Sequence, residues 1–273
     1  GPDTRHMGRA QALQHARMSA MKGGMTPLPI PTDPDQIADG LPVKDILPQL
    51  RALLAADPTP QRPASAIVVA PPGAGKTTSI PPVLAACTWR GESGRIIMLE
   101  PRRLAARAAA QRIAALMGEE VGGFAGYRTR IDSAVSARTR IEVLTEGLFL
   151  RRLLGDPMLE DVACVILDEV HERSLEADLA LAFCLDLQRT LRPDLRLVAM
   201  SATAETERLA SLMNAPVLTS EGRMFALEVH HAKKDIPTLR DIAPATAAGI
   251  RLALAETQGD ILAFLPGTGE IRR

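Results

Sequence analysis

The chain has 273 residues, 46% hydrophobic and 3% aromatic, with 32 Lys+Arg balanced by 32 Asp+Glu. That apolar fraction excludes a disordered chain, and the shortage of aromatics predicts an aliphatic core. Zero formal charge and a pI near 7.2 exclude a histone-like binder that works through a global basic excess. At roughly 100–200 residues per domain, the length suggests one large domain, or one domain and part of a second. Gly1 to His6 read as a tag remnant and are set aside. Residues 7–42 hold a short basic stretch (Arg9, Arg17, Lys22) and a Pro/Gly-rich run without apolar periodicity, read as an ordered loop or linker. Val43, Ile46, Leu47, Leu50, Leu53 and Leu54 then recur at helical spacing, with Pro48 in the first turn, where its missing N–H is tolerated.

From Ala64 the pattern changes to short β-rich runs alternating with Ala/Leu-rich helices. The predicted strands cover 66–70, 95–99, 140–144, 162–167 and 195–200. Runs apolar on both faces and separated by helices predict an open α/β domain with a mostly parallel sheet, in which ligands collect at the carboxyl ends of the strands. The expected division is a first domain over 43–225, a linker over 226–243 and the start of a second α/β domain over 244–273. FALEVHH (225–231), ahead of the polar linker stretch, and DILAFL (260–265), in the second domain, read as strands, and 244–257 as a helix. Cys87, Cys164 and Cys184 form neither a CxxC pair nor a Cys/His cluster, so structural zinc and a disulfide framework are not expected. With no run of 18 apolar residues and no secretion signal, the expected setting is cytoplasmic, without a membrane.

The first predicted strand runs into Pro71-Pro72-Gly73-Ala74-Gly75-Lys76-Thr77-Thr78 and then a helix. Small residues there let backbone N–H groups turn around a phosphate at a helix N-terminus, while the lysine adds a point charge and the hydroxyl reaches Mg²⁺. Ala70 stands where the formal P-loop pattern has its first glycine, and the bland reading is a Gly-rich turn with a surface lysine. Strand 162–167 ends in Leu167-Asp168-Glu169-Val170-His171-Glu172-Arg173. Two adjacent carboxylates on a strand tip can divide the labour, Asp168 taking the metal and Glu169 polarising the attacking water. Taken alone, they read equally well as caps for the helix that begins near Ser174.

PPGAGKTT, EPRRLAARAAAQRIA, GYRTR, RTRIEVLTEGLFLRRL, DEVHERSLEADLAL, MSAT and FLPGTGEIRR occur in this order between about Leu41 and Arg273. Together they resemble the DEAH/RHA group of superfamily 2 helicases, in particular the bacterial HrpB-type ATP-dependent RNA helicases. The resemblance implies a RecA-like first lobe, the incomplete start of a second, and ATP with Mg²⁺ as cofactors. It implies that Pro72, Gly73, Ala74, Gly75, Lys76, Thr77 and Thr78 bind the phosphates, that Thr77 and Asp168 hold Mg²⁺, and that Glu169 activates water. Arg112 is implied to stack on the nucleotide base, and His171, Ser201 and Thr203 to link phosphate state to nucleic-acid grip. Arg102, Arg103 and the Thr145-Glu146-Gly147 turn are implied to hold the backbone of a single strand, RNA rather than DNA, with unwinding in the 3′→5′ direction. Without the resemblance, Thr203 reads as a helix N-cap, His171 as a surface residue, and Arg112 and either of Arg102 and Arg103 as solvated helix residues.

Two departures qualify the comparison. There is no upstream glutamine motif of the kind that gives DEAD-box enzymes adenine specificity, so acceptance of other NTPs is expected. The QRxGRxGR segment that carries arginine fingers is absent, so the chain is expected to bind nucleotide better than it hydrolyses it. The readings left open are a nucleotide- and RNA-binding module without productive turnover, or another P-loop translocase acting on DNA. Oligomeric state is not legible. Residues 95–152 carry 11 Arg against 6 Asp+Glu, and residues 156–186 one Arg against nine, so the neutral total is a cancellation of a basic and an acidic block.

Overall fold

The computed structural model describes residues 33–59, 61–204, 206–222, 227–232, 235–236 and 238–272. The tag remnant and the basic stretch fall outside them. The chain divides into two compact units at Arg223/Met224.

The first unit opens with helix α1 (Pro34–Ile37), a 3-10 turn (Pro42–Ile46) and α2 (Leu47–Ala55), in which Pro48 occupies the first turn. There follow β1 (Ser65–Val69), α3 (Lys76–Ala85), β2 (Arg95–Glu100), α4 (Arg103–Leu116), β3 (Ala125–Arg128), β4 (Ser133–Ala134), β5 (Ile141–Thr145) and α5 (Glu146–Gly155). The unit closes with β6 (Val162–Leu167), α6 (Leu175–Thr190), β7 (Arg196–Ser201), α7 (Glu207–Met213) and β8 (Val217–Thr219). The eight strands form one sheet in the order β4-β3-β5-β2-β6-β7-β1-β8, parallel except for the β3–β4 pair. β1, β6 and β7 are buried along their whole length, as expected of strands covered on both faces.

Period-two alternation divides the core into two layers. Ala66, Val68, Ile96, Met98, Cys164, Ile166, Val198 and Met200 face one side, packed with α1 to α4; Ile67, Ile97, Leu99, Val165, Leu167, Leu197 and Ala199 face the other, packed with α5 and α6. Because parallel crossovers return every strand in the same direction, β5, β2, β6, β7 and β1 all deliver their carboxyl ends to one edge.

The run read as a linker is structured from Asp33 onward. Asp33 caps α1 by accepting from the Asp35 amide, and Ile37, Ala38 and Val43 are buried against the sheet. Three buried side chains spread over seven residues do not form a period, which is why the segment lacks a helical signature.

The second unit holds α8 (Ile242–Glu256), close to its predicted bounds, and α9 (Thr268–Ile271). Residues 260–265 form no strand, a correction to the expectation, and neither do residues 227–231; Phe225 and Ala226 lie outside the described residues. A strand needs a neighbour to take its backbone hydrogen bonds. Among the described residues none pairs with 260–265, and Leu262 and Phe264 are exposed. No described helix is long and apolar enough to cross a membrane.

Candidate nucleotide and nucleic-acid site

Between β1 and α3 the loop 70–75 turns through two glycines in the left-handed region, Gly73 at φ 79° and Gly75 at φ 92°. At Gly75 the left-handed φ is what favours glycine, and a Cβ there would also press on the Leu41 side chain, 2.7 Å from its Cδ1. The missing first glycine costs nothing: Ala70 continues the sheet, donating from its N–H to Ser201 O at 3.1 Å, and is fully buried. Lys76 is buried, and its Nζ donates to the carbonyl oxygens of Ala70 and Pro71. Pro72 to Thr78 line one cavity of about 780 Å³ together with Arg112, Leu116, Glu169, Gln36, Ile37, Asp39 and Leu41. The structure thus brings the predicted phosphate loop, Arg112 and Glu169 into one space.

Asp168 joins that space through Thr77, whose Oγ1 donates to Asp168 Oδ2 at 2.6 Å; the other carboxylate oxygen accepts from the Glu169 N–H at 2.9 Å. Two hard oxygen donors aimed at one point, beside a phosphate loop, fit Mg²⁺, which takes one or two protein ligands and completes its shell with phosphates and water. Among the described residues no group of three or more His, Cys, Asp or Glu side chains is arranged to hold a metal. Glu169 sits at φ 52°, an uncommon backbone conformation for a residue with a side chain. Burial, and then the charge of Asp168, raise its carboxyl above the usual carboxylate range, against the pull of Lys76 and His171.

One member of this group escaped the sequence reading. Glu100 ends β2 beside β6 and is 4% exposed. Burial first, then the charge of the neighbouring Asp168, hold its carboxyl well above the usual carboxylate range. An acid at the end of an otherwise apolar strand was the available signal.

His171 accepts from the Ala202 N–H through Nδ1 at 3.3 Å and places Nε2 3.4 Å from Glu169 Oε2. Ser201 Oγ donates to Thr203 O at 3.0 Å and accepts from the Thr203 N–H at 3.1 Å. Thr203 caps no helix, since α7 begins at Glu207 after Thr206. The DEVH segment is thereby tied to the end of β7, and β7 lies beside β1.

On the other half of the edge, Glu100 pairs in register with Thr145, which sets Arg102 and Arg103 at the start of α4 next to the Thr145-Glu146-Gly147 start of α5. Arg102 and Arg103 are exposed, and Arg102 Nη2 donates to Glu172 Oε1 at 2.8 Å. Gly147 is exposed, with nothing within 4 Å of an added Cβ. Glu146 turns inward, where its carboxylate accepts from Ser174 Oγ, the same hydroxyl that caps α6 through Ala177 N. At that turn the Glu146 side chain is therefore engaged inward, and the exposed Gly147 carries no side chain over the start of α5.

A glycine-containing strand–loop–helix turn and a paired-acid strand tip on the carboxyl edge of a parallel sheet define a RecA-like lobe of the helicase kind. Residues 49–212 match the DEAD/DEAH box helicase family, and the chain belongs to it. It is 47% identical over 234 residues to the ATP-dependent RNA helicase HrpB of Escherichia coli, covering 85% of this chain and 28% of that protein. It is 37% identical over 207 residues to the probable ATP-dependent RNA helicase DHR2 of Saccharomyces cerevisiae, covering 75% of this chain and 28% of that protein. The crystal structure of the Escherichia coli DEAH/RHA helicase HrpB superposes with a TM-score of 0.74 at 46% identity, over 85% of this chain and 29% of that one. The chain therefore spans less than a third of the length of these relatives.

Proposed function

We propose that the first unit is the nucleotide-binding motor lobe of an ATP-dependent RNA helicase, gripping ATP with Mg²⁺ on one half of its carboxyl edge and single-stranded RNA on the other. The observation that carries this reading is the 2.6 Å bond from Thr77 to Asp168, which places the phosphate-loop hydroxyl and the strand-tip carboxylate at one point. The N–H groups of residues 73–78 and the Lys76 ammonium hold the β- and γ-phosphates. Thr77 and Asp168 would hold Mg²⁺, which when bound neutralises phosphate charge. Glu169 orients the attacking water and takes its proton, a task that suits a carboxyl raised above its ordinary range. His171 reports the state of that centre to β7 through Ala202. Arg102, Arg103 and the amides at the start of α5 bind backbone phosphates without reading bases. Turnover by this chain alone is low, because arginine fingers of the second lobe supply much of the transition-state stabilisation in such motors.

Calorimetric titration with ATP and Mg²⁺ tests the site. The chain is expected to bind, and Lys76→Ala to weaken binding by about 10–100-fold, the worth of a charge-assisted hydrogen bond. Equal affinity in the two proteins contradicts the assignment.

A further inference from the structure

Both sheet neighbours of β1 reach the phosphate loop. On one side is β7, where Ser201 O accepts from the Ala70 N–H. On the other, β8 pairs in parallel with β1, Thr219 standing opposite Val69, and the Ser220 N–H carries the pairing one residue further by donating to Val69 O at 2.8 Å. Ser220 is buried, so the segment that leaves β8 runs up against the loop and not out into solvent. Gly222 then lies on Pro71, the second residue of the loop: a Cβ at Gly222 would stand 2.1 Å from Pro71 Cγ and 3.1 Å from its Cδ. Carbon atoms in contact stand about 3.5–4.0 Å apart, so no side chain fits there while both backbones keep their places. Gly222 is not among the glycines with positive φ, so close approach, and not backbone conformation, is what calls for glycine.

Pro71 in turn holds the loop and its lysine. Its carbonyl oxygen accepts from the Ala74 N–H at 3.2 Å, which closes the first turn of the loop, and from Lys76 Nζ at 3.4 Å, beside the Ala70 carbonyl that Lys76 also uses. A proline cannot yield by side-chain rotation, because its ring closes onto its own backbone nitrogen and fixes φ. Pressure on the ring therefore turns the peptide and carries the carbonyl with it. We propose that Gly222 is a positioning residue for nucleotide binding: carrying no side chain, it lets the segment leaving β8 brace the Pro71 ring, which keeps the phosphate loop and Lys76 in the arrangement that receives phosphates. The inference rests on the nucleotide site proposed above. Gly222 belongs to none of the motifs of that site, and the pairing of β8 with β1 brings it there from far along the chain.

Calorimetric titration of ADP with Mg²⁺ into the wild type, Gly222→Ala, Pro71→Ala and the double variant tests the inference as a cycle. Gly222→Ala is expected to weaken ADP binding about tenfold in the wild-type background and about twofold or less in the Pro71→Ala background, where the Cγ and Cδ atoms it strikes are gone. Such a rescue is not produced by a general loss of packing. An equal loss in both backgrounds, or wild-type affinity in Gly222→Ala, overturns the inference. A Gly222→Ala protein too unstable to titrate overturns it as well, since the glycine then serves the fold and not the loop. Lys76→Ala, measured alongside, separates the inference from its foundation. Unchanged ADP affinity in Lys76→Ala overturns the nucleotide site and the role of Gly222 with it, whereas weakened binding in Lys76→Ala beside wild-type binding in Gly222→Ala overturns the role of Gly222 alone.

Discussion

Glu169→Gln is expected to lower ATP turnover by about 10²–10⁴-fold, the range of a positioned acid or base, while leaving nucleotide affinity nearly unchanged. The amide keeps the shape and the hydrogen-bonding reach of the side chain but cannot accept a proton from water. In the proposed site affinity resides elsewhere, in Lys76, the loop amides and the Thr77–Asp168 pair. The measurement is steady-state phosphate release together with nucleotide titration, on a longer version of the chain that includes a second lobe so that wild-type turnover is readily detected. Turnover of the variant within a few-fold of the wild type would assign water activation to another group. Glu100 is poorly suited to that task, since it is buried whereas Glu169 is partly exposed and lines the cavity.

Glu142→Ala is expected to destabilise the first unit by about 3 kcal/mol, seen as a melting temperature lower by about 6–12 °C. Glu142 lies inside β5 and is fully buried, and its carboxylate sits among three guanidiniums: Arg128 of β3, Arg95 of β2 at 3.2 Å and Arg152 of α5 at 3.5 Å. Removing the carboxylate leaves Arg95 and Arg152, each only 22% exposed, with mutual repulsion and two remaining anions, Asp161 beside both and Asp156 at 4.0 Å from Arg152. Arg128 is 47% exposed and turns to water, which limits the loss. Glu142→Gln keeps the shape and part of the hydrogen bonding and is expected to lose less. Equal melting of Glu142→Ala and wild type by calorimetry would show that the cluster contributes nothing net.

That cluster also shows where sequence reading stops. The Arg-rich block over 95–152 was legible as charge, but its destination was not: Arg95, Arg128 and Arg152 converge on Glu142, and Arg102 and Arg103 stay at the exposed start of α4. An isolated acid in a strand apolar on both faces was the only sign of it. The five central strands were legible within a residue at each end, because burial on both faces leaves unbroken runs such as Val162–Leu167. β3, β4 and β8 have four, two and three residues at or near the margins of the sheet, too few to show a period, and they passed unread.

The same distinction holds at the site. The phosphate loop and the DEVH segment are contiguous, so their chemistry is written in order along the chain. Gln36, Glu100 and Leu41 contribute singly, from α1, the end of β2 and the turn before α2, and only the sheet order and the packing of the N-terminal segment bring them to Gly75 and Asp168. Residues 260–265 illustrate the converse error, an apolar run whose strand requires a neighbour that is not present among the described residues.

The most direct test of the account is ATP hydrolysis by the chain extended through a second lobe, measured with and without a single-stranded RNA. RNA is expected to raise turnover, and Arg102→Ala with Arg103→Ala to weaken that response while ATP binding persists. Turnover indifferent to RNA would contradict the assignment of the carboxyl edge to a nucleic-acid motor.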